Sequence, residues 1–226
     1  MSLFNWNEET TKLWNERADF WHENSENMWN NGSRKTIIPF IEKSLSPGST
    51  VLDAGCGDGY GSWLLAEKGY RVTGVDIAEN MIITAKEKRE HENIYFKQGS
   101  ITCLPLKAES LDAIMAINSI EWVENPLKAL VEFHRVLKAD GKLFLGLLGP
   151  TAGPRSHSFS RLYQQGASCN TMMPWEFERL ALENGWELLD GMPVYKEEAK
   201  KIDTTGIPRY LKQALTFMWV FMLKKI

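Results

Sequence analysis

The period of the apolar positions changes along this chain and divides it into three parts. Over residues 1 to about 47 the tryptophans stand out. Trp6, Trp14, Trp21 and Trp29 recur every seven or eight residues, a spacing that stacks them along one face of helical turns. The positions between them are polar and rich in Asn. A second helical stretch is predicted over 34–45, after the turn residues Asn31, Gly32 and Ser33 and before Ser46, Pro47 and Gly48. From residue 50 onward, short apolar runs alternate with runs of helical period. Strands are predicted at 50–54, 71–77, 94–97, 111–117 and 142–148, and helices at 59–68, 78–90 and 126–138. The run 111–117 is apolar except for Asp112, which suggests burial on both faces. The last third reads as a Gly-, Pro- and Ser-rich loop at 149–166, a helix at 175–184 and two edge-side strands at 186–195 and 216–223.

Strands alternating with helices at this spacing imply right-handed crossovers and a parallel sheet covered on both sides. The expectation is an α/β, Rossmann-like doubly wound domain over 48–226, with a mostly parallel seven-stranded sheet and helices on both faces. Residues 1–47 would add an N-terminal helical flap or lid.

Composition narrows the class. An apolar fraction of 43% and a charged fraction of 24% are those of an ordinary globular chain, and the net charge is -3. Lys and Arg are scattered, so no basic stripe suggests DNA as a partner. Cys56, Cys103 and Cys169 lie far apart without a C-x-x-C, so neither a disulfide framework nor a zinc site is indicated. No signal sequence is recognisable at the start, and the most apolar stretch, 215–223, is too short to span a bilayer as a helix. A cytoplasmic protein fits best. No metal-ligand cluster appears either.

The strongest chemical signal is VLDAGCGDGYG at 51–61, which runs from a strand into a helix. Gly55, Gly57 and Gly59 let the backbone turn sharply and approach a ligand without a Cβ in the way. About seventeen residues beyond Gly59 lies Asp76, at the end of the second strand. A doubly wound sheet places there the carboxylate that grips the ribose hydroxyls of an adenosine cofactor. The spacing is G-x-G-x-G rather than G-x-G-x-x-G, and Asp53 and Asp58 flank it. Carboxylates repel a pyrophosphate but welcome an ammonium, which favours S-adenosylmethionine over NAD. The bland alternative is that Asp53 and Asp58 merely cap the turn or the helix.

The segment 53–59 (DAGCGDG) resembles motif I of the class I S-adenosylmethionine-dependent methyltransferases, and 72–81 (VTGVDIAENM) resembles their second motif. The segments 96–101, 111–118 and 135–143 are similar to the later ones, so five motifs follow in order. The resemblance is to the small-molecule group that includes ubiquinone- and menaquinone-biosynthesis methyltransferases. It implies Gly55, Gly57 and Gly59 against the methionine portion of the cofactor, with Asp53 nearby, and Asp76 on the ribose. It implies Ile77 and Met81 about the adenine, Ser100 and Ile101 at its edge, and Asn118 and Ser119 near the transferable methyl. Many relatives carry Asp where this chain has Ser100, and His where it has Glu121 and Trp122.

Ligands of open α/β sheets bind outside the carboxyl ends of the strands. The Trp-rich segment, residues 118–125 and the 149–166 loop should therefore roof the site. Trp21, Trp29, Glu121, Trp122, His157 and Tyr163 are the candidate acceptor contacts, with Arg155 equally open. Packing of the flap, a solvated loop acid and idle loop side chains are the plain alternatives. Methyl transfer needs alignment and a dry site, and no dedicated base unless the acceptor must lose a proton. The acceptor reads as an unidentified small molecule. An NAD-dependent oxidoreductase and a catalytically silent cofactor-binding module remain as alternatives.

Overall fold

The structure, a computed structural model, describes residues 4–226. Two helices lead, α1 (Trp6–Glu16) and α2 (Ala18–Asn30), followed by the short α3 (Ile37–Glu42). The alternating body is β1 (Thr50–Ala54), α4 (Tyr60–Glu67), β2 (Arg71–Asp76), α5 (Glu79–Lys88), β3 (Ile94–Gln98), β4 (Leu111–Ile117), α6 (Pro126–Val136) and β5 (Leu137–Leu148). It closes with α7 (Pro174–Leu182), β6 (Trp186–Tyr195), α8 (Arg209–Ala214) and β7 (Thr216–Lys225). Seven strands form one sheet in the order β3-β2-β1-β4-β5-β7-β6. Pairs among β1 to β5 are parallel, and β7 runs antiparallel to both β5 and β6. This is the Rossmann-like, mostly parallel seven-stranded sheet expected from the sequence.

The two-residue period of the strands sorts their side chains between two cores. Leu52, Ile114, Leu145 and Phe221 pack on one face, against α6 and α7 residues such as Phe133 and Phe177. Val51, Met115, Phe144 and Val220 pack on the other, against Phe40 and Ile41 of α3 and Leu65 of α4. The apolar 215–223 stretch is thereby explained, because β7 is an interior strand between β5 and β6. Among the described residues no helix is long and apolar enough to cross a membrane.

Several local expectations shift. The Trp-rich segment is two helices, because the chain leaves helical geometry at Arg17 (φ -101°, ψ 0°). The four tryptophans therefore do not share one continuous face. The helix expected at 34–45 begins only at Ile37. Starting at Arg34 would put Pro39 beyond the first turn, where its missing N–H and its ring break the helix. The four buried residues of α3 belong to the sheet's core, so the flap proper is α1 and α2. Helix α6 stops at Val136 because Leu137 is drawn into the sheet opposite Leu111. The 149–166 stretch is wound into 3-10 turns over Gly153–Tyr163. Buried Arg155 braces it by donating to the carbonyls of Leu148 (2.5 Å), Gly149 (3.2 Å) and Met172 (2.8 Å), so it is a structural strut.

Candidate cofactor site

The turn after β1 holds Gly55 (φ +80°), Gly57 (φ +55°) and Gly59 (φ +76°), all in the left-handed region. A Cβ on Gly55 would lie 2.4 Å from Cβ of Ser119, and one on Gly57 would lie 2.9 Å from Nε1 of Trp21. A Cβ on Gly59 would instead lie 2.5 Å from Phe96 and 3.0 Å from Ala85. Gly55 and Gly57 thus open onto a pocket, whereas Gly59 allows α5 and β3 to close on the turn. Gly59, expected beside the ligand with the other two, does not line that pocket.

The pocket sits at the carboxyl ends of β1, β2 and β4. Its floor includes Gly55, Gly57, Asp76, Ile77, Met81, Ser100 and Ile101, with Asn118 and Ser119 beside them. Its roof is Asn7, Thr10 and Trp14 of α1, Trp21 of α2, Arg34, Trp122 and Val123. Distant motif residues come together here because each follows a strand that the parallel sheet brings to the same edge.

Asp76 braces the site as well as lining it. Its Oδ2 accepts from the Gly57 N–H (2.9 Å) and its Oδ1 from the Ala78 N–H (2.9 Å). Burial pushes its carboxyl above the ordinary carboxylate range, and those backbone donors oppose the rise. Ser100 accepts from the Thr102 N–H at 3.2 Å. Asn118 adopts φ +53°, unusual for a non-glycine residue, and directs its amide between two elements. Its Nδ2 donates to Glu121 Oε1 (3.3 Å), while its Oδ1 accepts from Arg34 (3.4 Å).

Asp53 lies just behind the turn and accepts from Ser62 Oγ at 2.6 Å. Burial, with a further push from the Asp76 and Asp58 charges, raises its carboxyl from 3.8 to about 7, against the pull of Ser62 and Arg34. The folded protein therefore holds a proton that the unfolded chain releases near pH 4. Stability contributed by this proton is lost as pH rises from about 4 to about 7. Buried Asp76 and Glu121 are raised in the same direction. Urea titrations of the ligand-free protein from pH 5 to 8 should show its midpoint falling, with a shallower fall in Asp53→Asn. Equal slopes for the two proteins would contradict the assignment.

Asp58 points elsewhere. Its Oδ2 accepts from Ser25 Oγ (2.6 Å), faces His22 Nδ1 (3.1 Å) and pairs with Arg89 (3.3 Å). The sequence argument that set Asp58 beside a ligand ammonium is corrected: this carboxylate ties α2 to the body. Two further links hold the flap. Trp6 Nε1 and Thr10 Oγ1 donate to the Trp122 carbonyl, at 2.7 and 3.3 Å. The Asn80 N–H donates to Asn15 Oδ1 at 3.0 Å.

Of the six candidate acceptor contacts, the structure brings Trp21 and Trp122 to the pocket. Trp14, one of the recurring tryptophans but not among those candidates, joins them: its ring is edge-on to Trp21 (5.4 Å) and to Trp122 (4.9 Å). Trp29 is not there. Its indole is buried in the core over Gly61, where a Cβ would meet it at 2.4 Å. Glu121 is neither a solvated loop acid nor a pocket base; it is fully buried behind Asn118 and accepts from the Leu148 N–H at 2.6 Å. His157 packs on Trp122 at 5.6 Å, outside the pocket, and burial with the nearby Arg17 lowers its pKa. Tyr163 is exposed and touches Phe159. Asn7, Thr10 and Arg34 had no signal in the sequence, because only the fold of the flap carries them to the site.

The lining suits an adenosyl amino acid. Among the described residues Ser119 Oγ, buried in the pocket wall, has no hydrogen-bond partner, and it lines the pocket together with Gly55 and Gly57. Fold and site together define a Rossmann-like domain with a pocket, lined by Asp76, at the carboxyl ends of its strands. Residues 52–145 match the profile of the family described as a methyltransferase domain. The matched stretch carries the glycine turn, Asp76 and Asn118, so the likeness falls on the part of the chain that builds the pocket.

The chain is 35% identical over 111 residues to malonyl-[acyl-carrier protein] O-methyltransferase of Laribacter hongkongensis, covering 44% of this chain and 37% of that protein. It is 34% identical over 114 residues to ubiquinone biosynthesis O-methyltransferase of Coxiella burnetii, covering 49% of each. It thus spans less than half the length of these curated relatives. Among solved structures, a methyltransferase of Methanosarcina mazei superposes with TM-score 0.63 at 22% identity, over 83% of this chain and 97% of that one. That likeness speaks for the fold.

Proposed function

We propose that this protein transfers a methyl group from S-adenosylmethionine to a small-molecule acceptor, beneath a lid formed by α1 and α2. The observation that carries the reading is the juxtaposition of Gly55, Gly57 and Asp76 with the indoles of Trp14, Trp21 and Trp122 across one pocket. The names of the two curated relatives favour an oxygen nucleophile.

S-adenosylmethionine, when bound, supplies an electrophilic methyl on a sulfonium. In this reading Asp76 holds the ribose hydroxyls, and Ile77, Met81, Ser100 and Ile101 surround the adenine. Gly55, Gly57 and Asn118 meet the amino-acid end, with Asp53 behind them. The three indoles exclude water and align the acceptor for in-line displacement. Among the described residues, the lining offers no His, Lys, Tyr, Cys or Glu. The acceptor would therefore present a nucleophile that needs no proton removed by this chain. Three cysteines without a disulfide suit a reducing, cytoplasmic setting.

S-adenosylhomocysteine should raise the melting temperature and NAD should not. Labelled methyl from S-adenosylmethionine should then appear in a low-molecular-weight fraction of cell extract. A shift with NAD and none with S-adenosylhomocysteine would defeat the proposal.

A further inference from the structure

One wall of the pocket is built on the segment 120–123, whose four consecutive carbonyls are held from two sides. Trp122 and Val123 line the pocket, with Asn118 and Ser119 just before them. Ile120–Trp122 is a single 3-10 turn, and the bond from the Val123 N–H to the Ile120 carbonyl is long, at 3.5 Å. So short a turn has little stability of its own. Its shape is set by contacts from elsewhere in the chain.

Most of these come from Asn170, which lies between the 3-10 turns over Gly153–Tyr163 and α7. Its Nδ2 donates to the carbonyls of Ile120 and Val123, both at 2.9 Å. Its backbone N–H donates to the Glu121 carbonyl at 2.8 Å, and its Oδ1 accepts from the Met172 N–H at 3.2 Å. Both protons of the amide are thus committed to the wall. Buried Arg155 anchors the strut from behind, donating to the carbonyls of Asn170 (3.5 Å) and Met172 (2.8 Å). The fourth carbonyl, that of Trp122, serves α1 instead: it accepts from Trp6 Nε1 (2.7 Å) and Thr10 Oγ1 (3.3 Å). Thr10 is the one buried residue of α1, so these two bonds carry much of that helix's attachment.

We propose that Asn170 is a positioning residue for the acceptor space. By clamping Ile120, Glu121 and Val123 it presents the Trp122 carbonyl to α1 and the Trp122 indole to the pocket. Wall and roof are then set together. That this space takes an acceptor rests on the proposed function. The indole is fixed in the same step, since its Nε1 donates to the Asn118 carbonyl (2.9 Å) and Trp14 of α1 meets it edge-on. Without the clamp the turn relaxes, the carbonyl leaves Trp6 and Thr10, and α1 loosens over a site that must stay dry and aligned. None of the hydrogen bonds of the Asn170 amide reaches Asp76 or the glycine turn, so cofactor binding is left in place.

Hydrogen exchange of the ligand-free protein tests the coupling in Asn170→Ala, in Trp6→Phe, which lacks the indole donor, and in the double variant. Asn170→Ala should speed exchange in α1 about two- to tenfold, the worth of a hydrogen bond, while the sheet exchanges as in wild type. Trp6→Phe should act on the same helix, and the double variant should go little beyond the larger single effect. In Asn170→Ala, labelled methyl transfer into the low-molecular-weight fraction of cell extract should fall while affinity for S-adenosylhomocysteine holds. Asn170→Ser, which keeps one donor, should show a smaller change of the same kind and serves if the Ala variant fails to fold. Wild-type exchange in α1 overturns the proposal. So do additive effects of the two substitutions, and so does faster exchange in α1 and the sheet alike, which would make Asn170 a support of the fold alone. Failure of wild type to bind S-adenosylhomocysteine would overturn the proposed function, and the acceptor role with it; the exchange data alone decide whether Asn170 governs α1.

Discussion

Gly57→Val is expected to abolish S-adenosylhomocysteine binding while leaving the sheet folded. Gly57 sits at φ +55°, and a Cβ there would lie 2.9 Å from Trp21 Nε1. A non-glycine residue in this conformation costs about 1–2 kcal/mol, and branching at Cβ adds crowding. The side chain would project against Trp21 in the pocket lining and would push its ring off its seat. Both effects act on the pocket, so affinity should fall by about a hundredfold or more, read by calorimetry. Circular dichroism and a cooperative urea transition would show that the fold persists. Gly57→Ala, with the smaller intrusion, should give an intermediate loss and keeps the test informative if the Val variant fails to fold. Wild-type affinity in Gly57→Ala, with the fold intact, would mean that the turn does not face the cofactor.

Asp76→Ala should weaken S-adenosylhomocysteine binding about ten- to a hundredfold, since hydrogen bonds to a charged group are worth about 1.5–3 kcal/mol. The structure adds a second consequence. The same carboxylate accepts the N–H groups of Gly57 and Ala78, so its removal leaves two buried donors without partners. Melting temperature should fall as well, by an amount set by about 1–3 kcal/mol per orphaned group. Asp76→Asn keeps acceptor capacity on the side-chain carbonyl and should recover part of the stability but less of the affinity. If Asp76→Ala melts lower yet binds S-adenosylhomocysteine as wild type does, the residue only braces the turn.

Asp58 illustrates where residue-level reasoning goes astray. Its place in the glycine motif and its charge suggested a ligand contact, yet it serves Ser25, His22 and Arg89. The partners come from α2 and from the end of α5, 31 to 36 residues away in sequence, and no spacing rule reports them. Glu121 misleads in the same way. Its neighbours suggested a loop beside the substrate, but the Leu148 N–H and the Asn118 amide draw it fully inside. Trp29 and Trp21 are eight residues apart in one pattern, and one packs on Gly61 while the other lies over Gly57.

The strands, most helices and the glycine turn with its downstream acid were legible because they rest on local spacing. A two-residue alternation needs only neighbours to declare itself, and the left-handed turns at Gly55 and Gly57 need only residues without a Cβ. The same holds for Asp76, whose distance from the turn is set by one helix and one strand. Everything about the roof of the pocket was settled by contacts across the chain. The break at Arg17 folds α1 back so that Trp14 reaches Trp122, more than a hundred residues on. The late start of α3 leaves Arg34 in a turn facing Asn118 rather than on a helix surface. The insertion of β7 between β5 and β6 turns an apolar tail into the middle of the sheet. Such choices minimise buried polar groups and exposed apolar area over the whole molecule, and that sum has no expression in the spacing of any one segment.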